Sequence, residues 1–347
     1  MRLTSIPLTI SIFLLAIACD PKPDTVTFNE NTDNKSIDVL INGQLFTTYR
    51  WPDNVTKPVL CPVLASSGTE ITRGFPLSPK VGERADHPHQ IGMWLTYGNV
   101  DENDFWGNGF RGLGTLKETG GVIKHLNVER MSGGIDEGVL VTNESWVDST
   151  GIELMTEKTE YHFLEQGSVR IIDRITTLTA TDKKVMWPDT KEGMFGIRVA
   201  RQLELPDEGR GVIYTNEGKA ERVDTLSNDG ITGNYRSSEG VTGWDVWGTR
   251  AKWMDLDGSI GDEKISIVIC DHPNNPNYPT YWHARGYGLF SANPFGWNDF
   301  TDGKQQANFE ISAGDSVTFR YRVIVSSGGH LSNEDITSFV TEFEELY

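Results

Sequence analysis

Apolar and polar residues alternate along most of the chain, which is typical of β-strands with one buried face. Ile37, Val39 and Ile41 alternate with polar neighbours, and the alternation resumes after Asn42-Gly43, a dipeptide favoured in tight hairpin turns. Segments with a comparable apolar pattern are predicted as further strands at 139–146, 154–163, 169–179, 251–256, 265–270 and 317–326.

A helical period occurs only near the C-terminus. Its apolar residues recur at helical spacing, at Ile336, Phe339, Val340 and Phe343. Ser332 is a candidate N-cap because Asp335 follows three positions later. Since no repeat or Pro/Ser-rich linker divides residues 35–330, we predict one domain over 35–347. It is expected to be all-β, a large antiparallel β-sandwich with a short C-terminal helix.

Residues 1–19 have the pattern of a lipoprotein signal peptide. A short basic start precedes an apolar run over 6–18, which is too short to span a bilayer. The run ends in Leu-Ala-Ile-Ala-Cys and resembles a lipobox, in which Cys19 carries the lipid. An ordinary secretory signal cleaved nearby is the alternative. Both predict export, and the lipobox predicts anchoring in the cell envelope (periplasm or outer membrane), with 20–34 as a polar tether.

Composition narrows the function further. The chain has 31 Lys and Arg against 49 Asp and Glu, a net charge of −18. A nucleic-acid partner is therefore not expected, because binding to phosphate needs a basic surface. Hydrophobic residues at 37% are sufficient for a folded core. Beyond Cys19 only Cys61 and Cys270 remain, and an exported protein permits but does not require a disulfide between them.

The first candidate site segment is Asp86-His87-Pro88-His89. In extended backbone, His87 and His89 project from one face and can act as an acid/base pair or as two metal ligands. Arg73, Trp94 and Trp106 lie nearby in sequence and are candidate substrate-binding residues. The structural alternative is that the two imidazoles only shape a loop.

The second candidate segment is an aromatic loop after the strand at 265–270. It contains Tyr281, Trp282, His283, Arg285 and Tyr287. A histidine or tyrosine can transfer a proton, and a guanidinium suits a carboxylate or sulfate. A purely structural aromatic loop is the alternative. Glu192, at the start of a predicted strand, can direct a carboxylate into the same cleft, although most such residues are only solvated.

These motifs resemble a known family. Asp86-His87-Pro88-His89, Asp104-Phe105-Trp106 and Asn293-Pro294-Phe295-Gly296 are similar to the PmoA-like (DUF6807-type) family of exported bacterial proteins. The resemblance implies a galactose-mutarotase-like β-supersandwich and a role in carbohydrate degradation. Methane oxidation, which the PmoA label implies, has no support, since membrane spans and a convincing copper site are missing.

The chain departs from the family pattern at four positions. Gln90 and Ile91 replace the usual His-Arg after Asp-His-Pro-His, which removes one ligand of a three-histidine metal site. The family usually has Trp-His-Val-Arg-Asp at the second motif. This chain has Ala284 in place of the valine and Gly286 in place of the aspartate, whereas His283 and Arg285 are retained.

The leading hypothesis is an oligosaccharide lyase or dehydratase acting on uronic-acid units. Arg73 or Arg285 would neutralise the carboxylate, and an imidazole would abstract the adjacent proton. Tyr281 or Tyr287 would protonate the leaving oxygen. The aromatic walls are predicted to stack on pyranose rings, and they comprise Trp94, Trp106 and Trp282.

Several alternatives stay open. A mutarotase or epimerase would pair His87 or His283 with Glu192, and a glycoside hydrolase would need two facing carboxylates from Asp245, Asp271 and Glu192. A non-catalytic glycan-binding lipoprotein would use the same aromatic residues. No cofactor is predicted, although His87 and His89 with Glu192 or His283 could hold zinc, manganese or iron. The expected partner is an oligosaccharide, and the oligomeric state is undetermined.

Overall fold

The regular elements are almost all β-strands. The computed structural model describes residues 25–107 and 120–347. In chain order the strands are β1 (Thr25–Asn31), β2 (Ser36–Ile41), β3 (Gln44–Arg50), β4 (Val59–Val63), β5 (Met93–Tyr97), β6 (Val122–Ser132), β7 (Gly134–Ile135), β8 (Glu137–Val147), β9 (Glu153–Gln166), β10 (Val169–Ala180), β11 (Val185–Trp187), β12 (Gly193–Arg198), β13 (Gly211–Tyr214), β14 (Ala220–Val223), β15 (Asn234–Ser237), β16 (Trp253–Ile260), β17 (Glu263–Asp271), β18 (Tyr281–Trp282), β19 (Leu289–Asn293), β20 (Phe309–Ile311) and β21 (Ser316–Ser327). The α-helices are α1 (Trp297–Phe300) and α2 (Asn333–Leu346). Short 3₁₀ turns occupy Arg201–Leu203 and Gly243–Val246.

Two large antiparallel sheets form the body of the fold. One has nine strands in the order β18-β19-β12-β5-β4-β3-β2-β1-β7, and the other has eight in the order β15-β16-β17-β21-β10-β9-β8-β6. The main hydrophobic core draws on both sheets, for example Phe195 of β12, whose ring stacks on Tyr321 of β21. The predicted all-β antiparallel sandwich is confirmed.

Local sequence signals explain several elements directly. Asn42 and Gly43 join β2 to β3 with positive φ values of 53° and 78°, as a two-residue hairpin turn requires. In α2, Ser332 and Asp335 form a reciprocal capping box, and Ile336, Val340 and Phe343 are buried. Both predictions are confirmed.

The nine-stranded sheet also buries part of its outer face. On β5, Met93, Leu95 and Tyr97 belong to the main core, whereas Trp94 points the other way into a second apolar cluster. That cluster includes Trp106 and Leu289 and lies under the loops that cover the sheet. The loops with the candidate histidines are therefore supported by a packed floor.

Some expectations need correction. Residues 25–31 of the predicted tether form β1, which pairs with β2, because Val26 is fully buried in the core. A short helix, α1, was also not expected. Cys61 and Cys270 are buried free thiols. The predicted signal peptide and Cys19 lie outside the described residues, within which no helix is long and apolar enough to cross a bilayer.

Candidate active site

A cavity of about 550 Å³ opens on the outer side of the nine-stranded sheet. Both candidate segments and the start of β12 contribute to its wall. The residues that line it include His87, His89, Gln90, Asp104, Trp106, Lys191, Glu192, His283, Arg285 and Tyr287. Residues distant in sequence thus meet in one hollow.

The histidine segment reaches the cavity through a turn. His87 has a left-handed backbone with φ of 42°, and Gln90 donates its N–H to the His87 carbonyl over 3.0 Å. The prediction of an extended segment was therefore wrong. The two imidazoles nevertheless lie 5.6 Å apart, because the turn brings both rings to the same wall. Such a conformation is uncommon for a residue other than glycine and has to be held by its surroundings.

Two buried guanidinium groups hold this turn. Arg73 donates to Asp86 Oδ1 at 2.9 Å and to the carbonyl oxygens of His87 and Gln90. Arg198, on the outer face of β12, donates to the same Asp86 oxygen at 2.7 Å. Arg73 is 1% exposed and lies behind the cavity wall. The structure therefore does not bring Arg73 to a substrate, and its hydrogen bonds position the turn instead.

Asp86 also faces His87, whose Nδ1 lies 3.4 Å from Asp86 Oδ1. Burial opposes ionisation of Asp86, but the hydrogen bond from His87 and the charges of Arg198 and Arg73 hold the pKa of this carboxyl well below its ordinary value. The His87 side chain is 42% exposed and stacks on Tyr287, with ring centroids 5.0 Å apart. His87 is thus an accessible imidazole oriented by a fixed negative charge.

In the aromatic loop after β18, successive side chains face opposite sides of the backbone. His283 and Arg285 follow β18 and pair with Ser291 and Leu289 through backbone hydrogen bonds. The odd-numbered side chains His283, Arg285 and Tyr287 line the cavity. Trp282 faces the opposite way into the main core and is fully buried. The prediction that Trp282 contacts sugar is therefore wrong.

Tyr281 has the same parity as His283 but lies beyond the cavity. Its ring stacks on Phe300 of α1 at 5.4 Å, and the Arg250 guanidinium lies 5.4 Å from its centroid. Tyr281 is 8% exposed and is absent from the cavity wall as described. The structure does not bring Tyr281 to the other candidates.

The two remaining tryptophans differ in position. Trp94 is fully buried under Trp106, with centroids 5.4 Å apart, so it supports the wall and does not contact a ligand. Trp106 lines the cavity, and its ring lies nearly parallel to His283 at 6.5 Å. Of this predicted aromatic pair, only Trp106 reaches the cavity.

Glu192 and Asp104 bring carboxyl groups to the cavity. Glu192 immediately precedes β12, where the Gly98 N–H donates to its carbonyl over 2.7 Å. Burial raises the pKa of the Glu192 carboxyl, against the opposing effects of Lys191 and His87. Asp104 accepts the Gly107 N–H at 2.7 Å. The glycoside-hydrolase candidates Asp245 and Asp271 are not in the described wall, and Asp271 is buried against Asn275 and Thr280.

The inner imidazoles are neutral at ordinary pH. Burial, assisted by the charge of Lys57, lowers the pKa of His89 to about 2. Burial and the charge of Arg285 lower the pKa of His283 to about 3. Within the described residues, Nδ1 of His283 and Nε of Arg285 are buried without a hydrogen-bond partner. Buried polar atoms are seldom left unpaired, so these atoms are suited to a bound polar ligand.

Lys57 was missed by the sequence analysis. It is 1% exposed, and its ammonium donates to the carbonyl oxygens of His89 at 2.8 Å and Trp106 at 3.3 Å. One cation therefore ties the two loops that form adjacent parts of the wall. The only signal in the sequence is a lysine set between Val55 and Val59, and it does not specify a partner.

The described residues offer no preformed group of metal ligands. Within residues 25–107 and 120–347, no three His, Cys, Asp or Glu side chains converge in an arrangement suited to a metal ion. The sequence carries Gln90 and Ile91 where the third histidine and the arginine were expected. The proposed combination of His87 and His89 with Glu192 or His283 therefore does not form a ready ligand set.

Comparison with known proteins identifies the family. The model for the family of unknown function DUF6807 matches residues 36–341, from the start of β2 to the last turns of α2. The chain belongs to the DUF6807 family. No curated protein matches this DUF6807 chain in sequence.

Solved structures show distant likeness to this DUF6807 protein. It is similar to the Slr1438 protein from Synechocystis sp. PCC 6803, with 10% identity, TM-score 0.33, and coverage of 92% of this chain and 100% of that one. For a galactose mutarotase related enzyme from Lactobacillus acidophilus the values are 10% identity, TM-score 0.31, and coverage of 89% and 99%.

A third likeness is to the GH36 α-galactosidase AgaB from Geobacillus stearothermophilus. Identity is 9%, the TM-score is 0.38, and the match covers 87% of this DUF6807 chain but only 41% of the α-galactosidase. At these identities and TM-scores the likenesses carry no inference about activity. The chemistry of this DUF6807 protein must be argued from its own cavity.

That cavity combines three kinds of group. His87, beside Asp86, can take up a proton, and Glu192 with its raised pKa can give one. Arg285 has no carboxylate within ion-pair distance in the described part of the chain, so its charge is available to an anion. The cavity is therefore equipped for proton transfer on an anionic ligand.

Proposed function

We propose that this protein is a carbohydrate-active enzyme that abstracts a proton beside the carboxylate of a uronic-acid unit. The observation that supports it most is that Arg285, a cation without a carboxylate partner among the described residues, shares a cavity with His87 and Glu192. In the reaction Arg285 binds the sugar carboxylate. This contact becomes stronger in the transition state, because additional negative charge develops on the carboxylate as the proton leaves.

The proton transfers follow from the two titratable groups. Nε2 of His87 takes the proton from C5, and Asp86 stabilises the imidazolium that forms. The C5–H electron pair becomes the C4–C5 double bond as the C4–O bond breaks. The departing oxygen takes a proton from Glu192. A hydroxyl leaves as water in a dehydratase, and a glycosidic oxygen leaves as an alcohol in a lyase.

Local charge supports an anionic substrate despite the net charge of −18. Lys191 and Arg285 line the cavity, and Lys57, Arg73 and Arg198 are buried behind its wall. Asp86 is shared by two of these cations. The carboxyl groups of Asp86, Glu192 and Asp104 lie among these five cations, so the surroundings of the cavity are richer in basic groups than the chain as a whole. Charges that are partly buried are also screened less than those on the exposed surface.

A set of uronate-containing oligosaccharides tests this proposal. We expect an increase in ultraviolet absorbance from the 4,5-unsaturated product, and we expect His87→Gln to abolish it. His330→Gln is the matched control, because His330 is exposed and absent from the cavity wall as described. Binding without any turnover across the set would instead support a non-catalytic glycan-binding protein.

A second candidate is an epimerase or mutarotase that uses the same pair. It is favoured by the raised pKa of the Glu192 carboxyl and by the electrostatic interaction between this carboxyl and the His87 imidazole. In an epimerase, one group would take a proton from carbon and the other would return a proton on the opposite face, with no bond to oxygen broken. In a mutarotase, one group would take the proton of the anomeric hydroxyl and the other would give one to the ring oxygen as the C1–O5 bond opens, so no C–H bond would break and no deuterium would enter at carbon. Incubation in D₂O separates the candidates: deuterium enters the sugar without an unsaturated product in an epimerase.

We also propose that the protein is exported and anchored by a lipid on Cys19, which rests on the apolar run and the lipobox-like end of residues 1–19. Labelling of cells with a fatty-acid analogue should mark the wild-type protein. The Cys19→Ser variant should remain unlabelled. Labelling of that variant would contradict the proposal.

A further inference from the structure

One large aromatic side chain beside the cavity has no role in the proposed chemistry. Trp244 lies in the 3₁₀ turn Gly243–Val246, and 55% of it is exposed. Single exposed apolar residues are common on protein surfaces, so exposure alone carries no argument. The way in which Trp244 packs on its neighbours is more informative than its exposure.

Trp244 lies flat on the backbone of the cavity wall. A Cβ added to Gly286 would lie 2.1 Å from Cη2, 2.4 Å from Cζ3 and 2.5 Å from Cζ2 of the indole. Nearly equal distances to three successive ring atoms place Gly286 against the ring face and not its edge. Since any side chain at 286 would displace the ring, the glycine permits this contact. With one face against Gly286, it is the opposite face of the ring that a ligand could approach.

The ring packs on the loop that lines the cavity, although Trp244 itself is not in the cavity wall as described. Gly286 lies between Arg285 and Tyr287, both of which line the cavity. The same 3₁₀ turn leads to Trp247, whose ring lies 5.0 Å from the Arg285 guanidinium carbon. The turn thus packs Trp247 against the proposed carboxylate-binding group and Trp244 against the next residue of the same loop.

We propose that Trp244 forms a second sugar subsite, so that the ligand is an oligosaccharide with one ring in the cavity and a neighbouring ring stacked on the exposed indole. This inference rests on the proposed function, which places a uronate unit at Arg285. The electron-rich face of the indole attracts the C–H groups of a pyranose ring. The adjacent exposed Asp245 disfavours a second carboxylate, so the stacked unit is an uncharged sugar.

The test compares ligands of different length. Binding of glucuronic acid alone, of di- and trisaccharides with one glucuronate, and of neutral oligosaccharides of equal length is measured by calorimetry. We expect Trp244→Ala to weaken binding of the longer glucuronate ligands about tenfold, with the affinity for glucuronic acid unchanged. Trp244→Phe should retain most of the affinity, and Leu346→Ala, at another exposed apolar residue, should have no effect.

The outcomes separate this proposal from the function on which it rests. An equal loss for all lengths would show that Trp244 only supports the Arg285 loop, and an unchanged affinity for all of them would show no contact; either overturns the subsite. If glucuronate ligands fail but neutral oligosaccharides bind in a Trp244-dependent way, the proposed function is wrong and the subsite stands. If no glycan binds the wild-type protein, both are overturned.

Discussion

Two regions of this protein contain the same kinds of side chain in opposite arrangements. Between the sheets, Arg174 pairs with Glu157 at 2.8 Å, and Tyr49 donates to Glu144 at 2.8 Å. All four side chains are buried among strands. In the outer cavity, by contrast, Arg285 has no carboxylate partner in the described part of the chain.

The difference teaches how to distinguish structure from function in a polar cluster. A buried charge requires compensation, and the inter-sheet cluster supplies most of it from its own side chains. Among the described residues both regions contain buried atoms without a hydrogen-bond partner, Oε2 of Glu144 between the sheets and Nδ1 of His283 and Nε of Arg285 in the cavity, but only the latter two belong to residues that line an opening. A ligand can supply the missing partners there. Removal of a charge between the sheets should therefore lower the free energy of unfolding. Removal of a charge in the cavity should instead lower the activity.

The largest effect is expected for Arg174→Met. This change leaves Glu157 buried without its cation and should lower the free energy of unfolding by about 3–5 kcal/mol. Urea unfolding measures the loss. Burial already raises the pKa of Glu157, so protonation should reduce the loss at acidic pH. The double variant Arg174→Met/Glu157→Met should recover much of the stability, and turnover per folded molecule should be unchanged; a large loss of turnover would contradict the comparison.

Arg285→Gln should give the reverse result. The substitution removes the proposed carboxylate contact and should lower kcat/KM on uronate oligosaccharides about 10²–10³-fold. Arg285 is only partly buried and forms no ion pair with a described residue, so the unfolding midpoint should change little. Arg250→Gln is a control, since Arg250 holds the backbone of Asn277 and Pro279 outside the cavity wall as described. A drop in stability equal to that of Arg174→Met would remove the distinction between the two regions.

Much of the fold was accessible from sequence because its signals are local. Alternation predicts strands such as β9, and the Asn42-Gly43 turn fixes the pairing of β2 with β3 next to it, up to a bulge that shifts the register between Val39 and Leu40. Alternation could also have excluded Trp282, whose parity is opposite to that of His283 and Arg285.

The rest of the site depends on contacts that no local pattern contains. Arg73 lies behind the cavity wall because its guanidinium donates hydrogen bonds to Asp86 and Gln90. Both partners are more than ten positions away in the sequence. The left-handed turn at His87 depends on the same contacts. Lys57 acts through carbonyl oxygens, which every residue carries, so residue types cannot predict its partners.

Lys57 provides an intermediate case, a buried charge that serves the cavity. Lys57→Met preserves the bulk but removes the tie between the carbonyl oxygens of His89 and Trp106. Burial lowers the pKa of this ammonium to about 7, so the loss of an unfavourable buried charge offsets part of the cost in stability. We expect about a tenfold loss of ligand affinity with a small change in the unfolding midpoint. Lys264→Met, at an exposed position, is the control, and unchanged affinity would contradict a positioning role.

The effect that is smallest at any one pH step concerns the pH dependence of stability, because it is spread over several pH units. Burial lowers the pKa of His283 to about 3, whereas an unfolded histidine titrates near 6.5. Between these values the unfolded chain binds a proton that the folded protein does not, so this contribution is complete above about pH 6.5 and is lost as the pH falls. The expected slope is about 1.4 kcal/mol per pH unit. His283→Gln should remove that part of the slope between about pH 6 and 4, measured by urea unfolding, while the exposed control His330→Gln should keep it. An unchanged slope in His283→Gln would mean that this imidazole is already hydrated in the folded protein. The cavity would then resemble the exposed surface in its hydration, which would contradict the contrast between unpaired cavity groups and solvated ones.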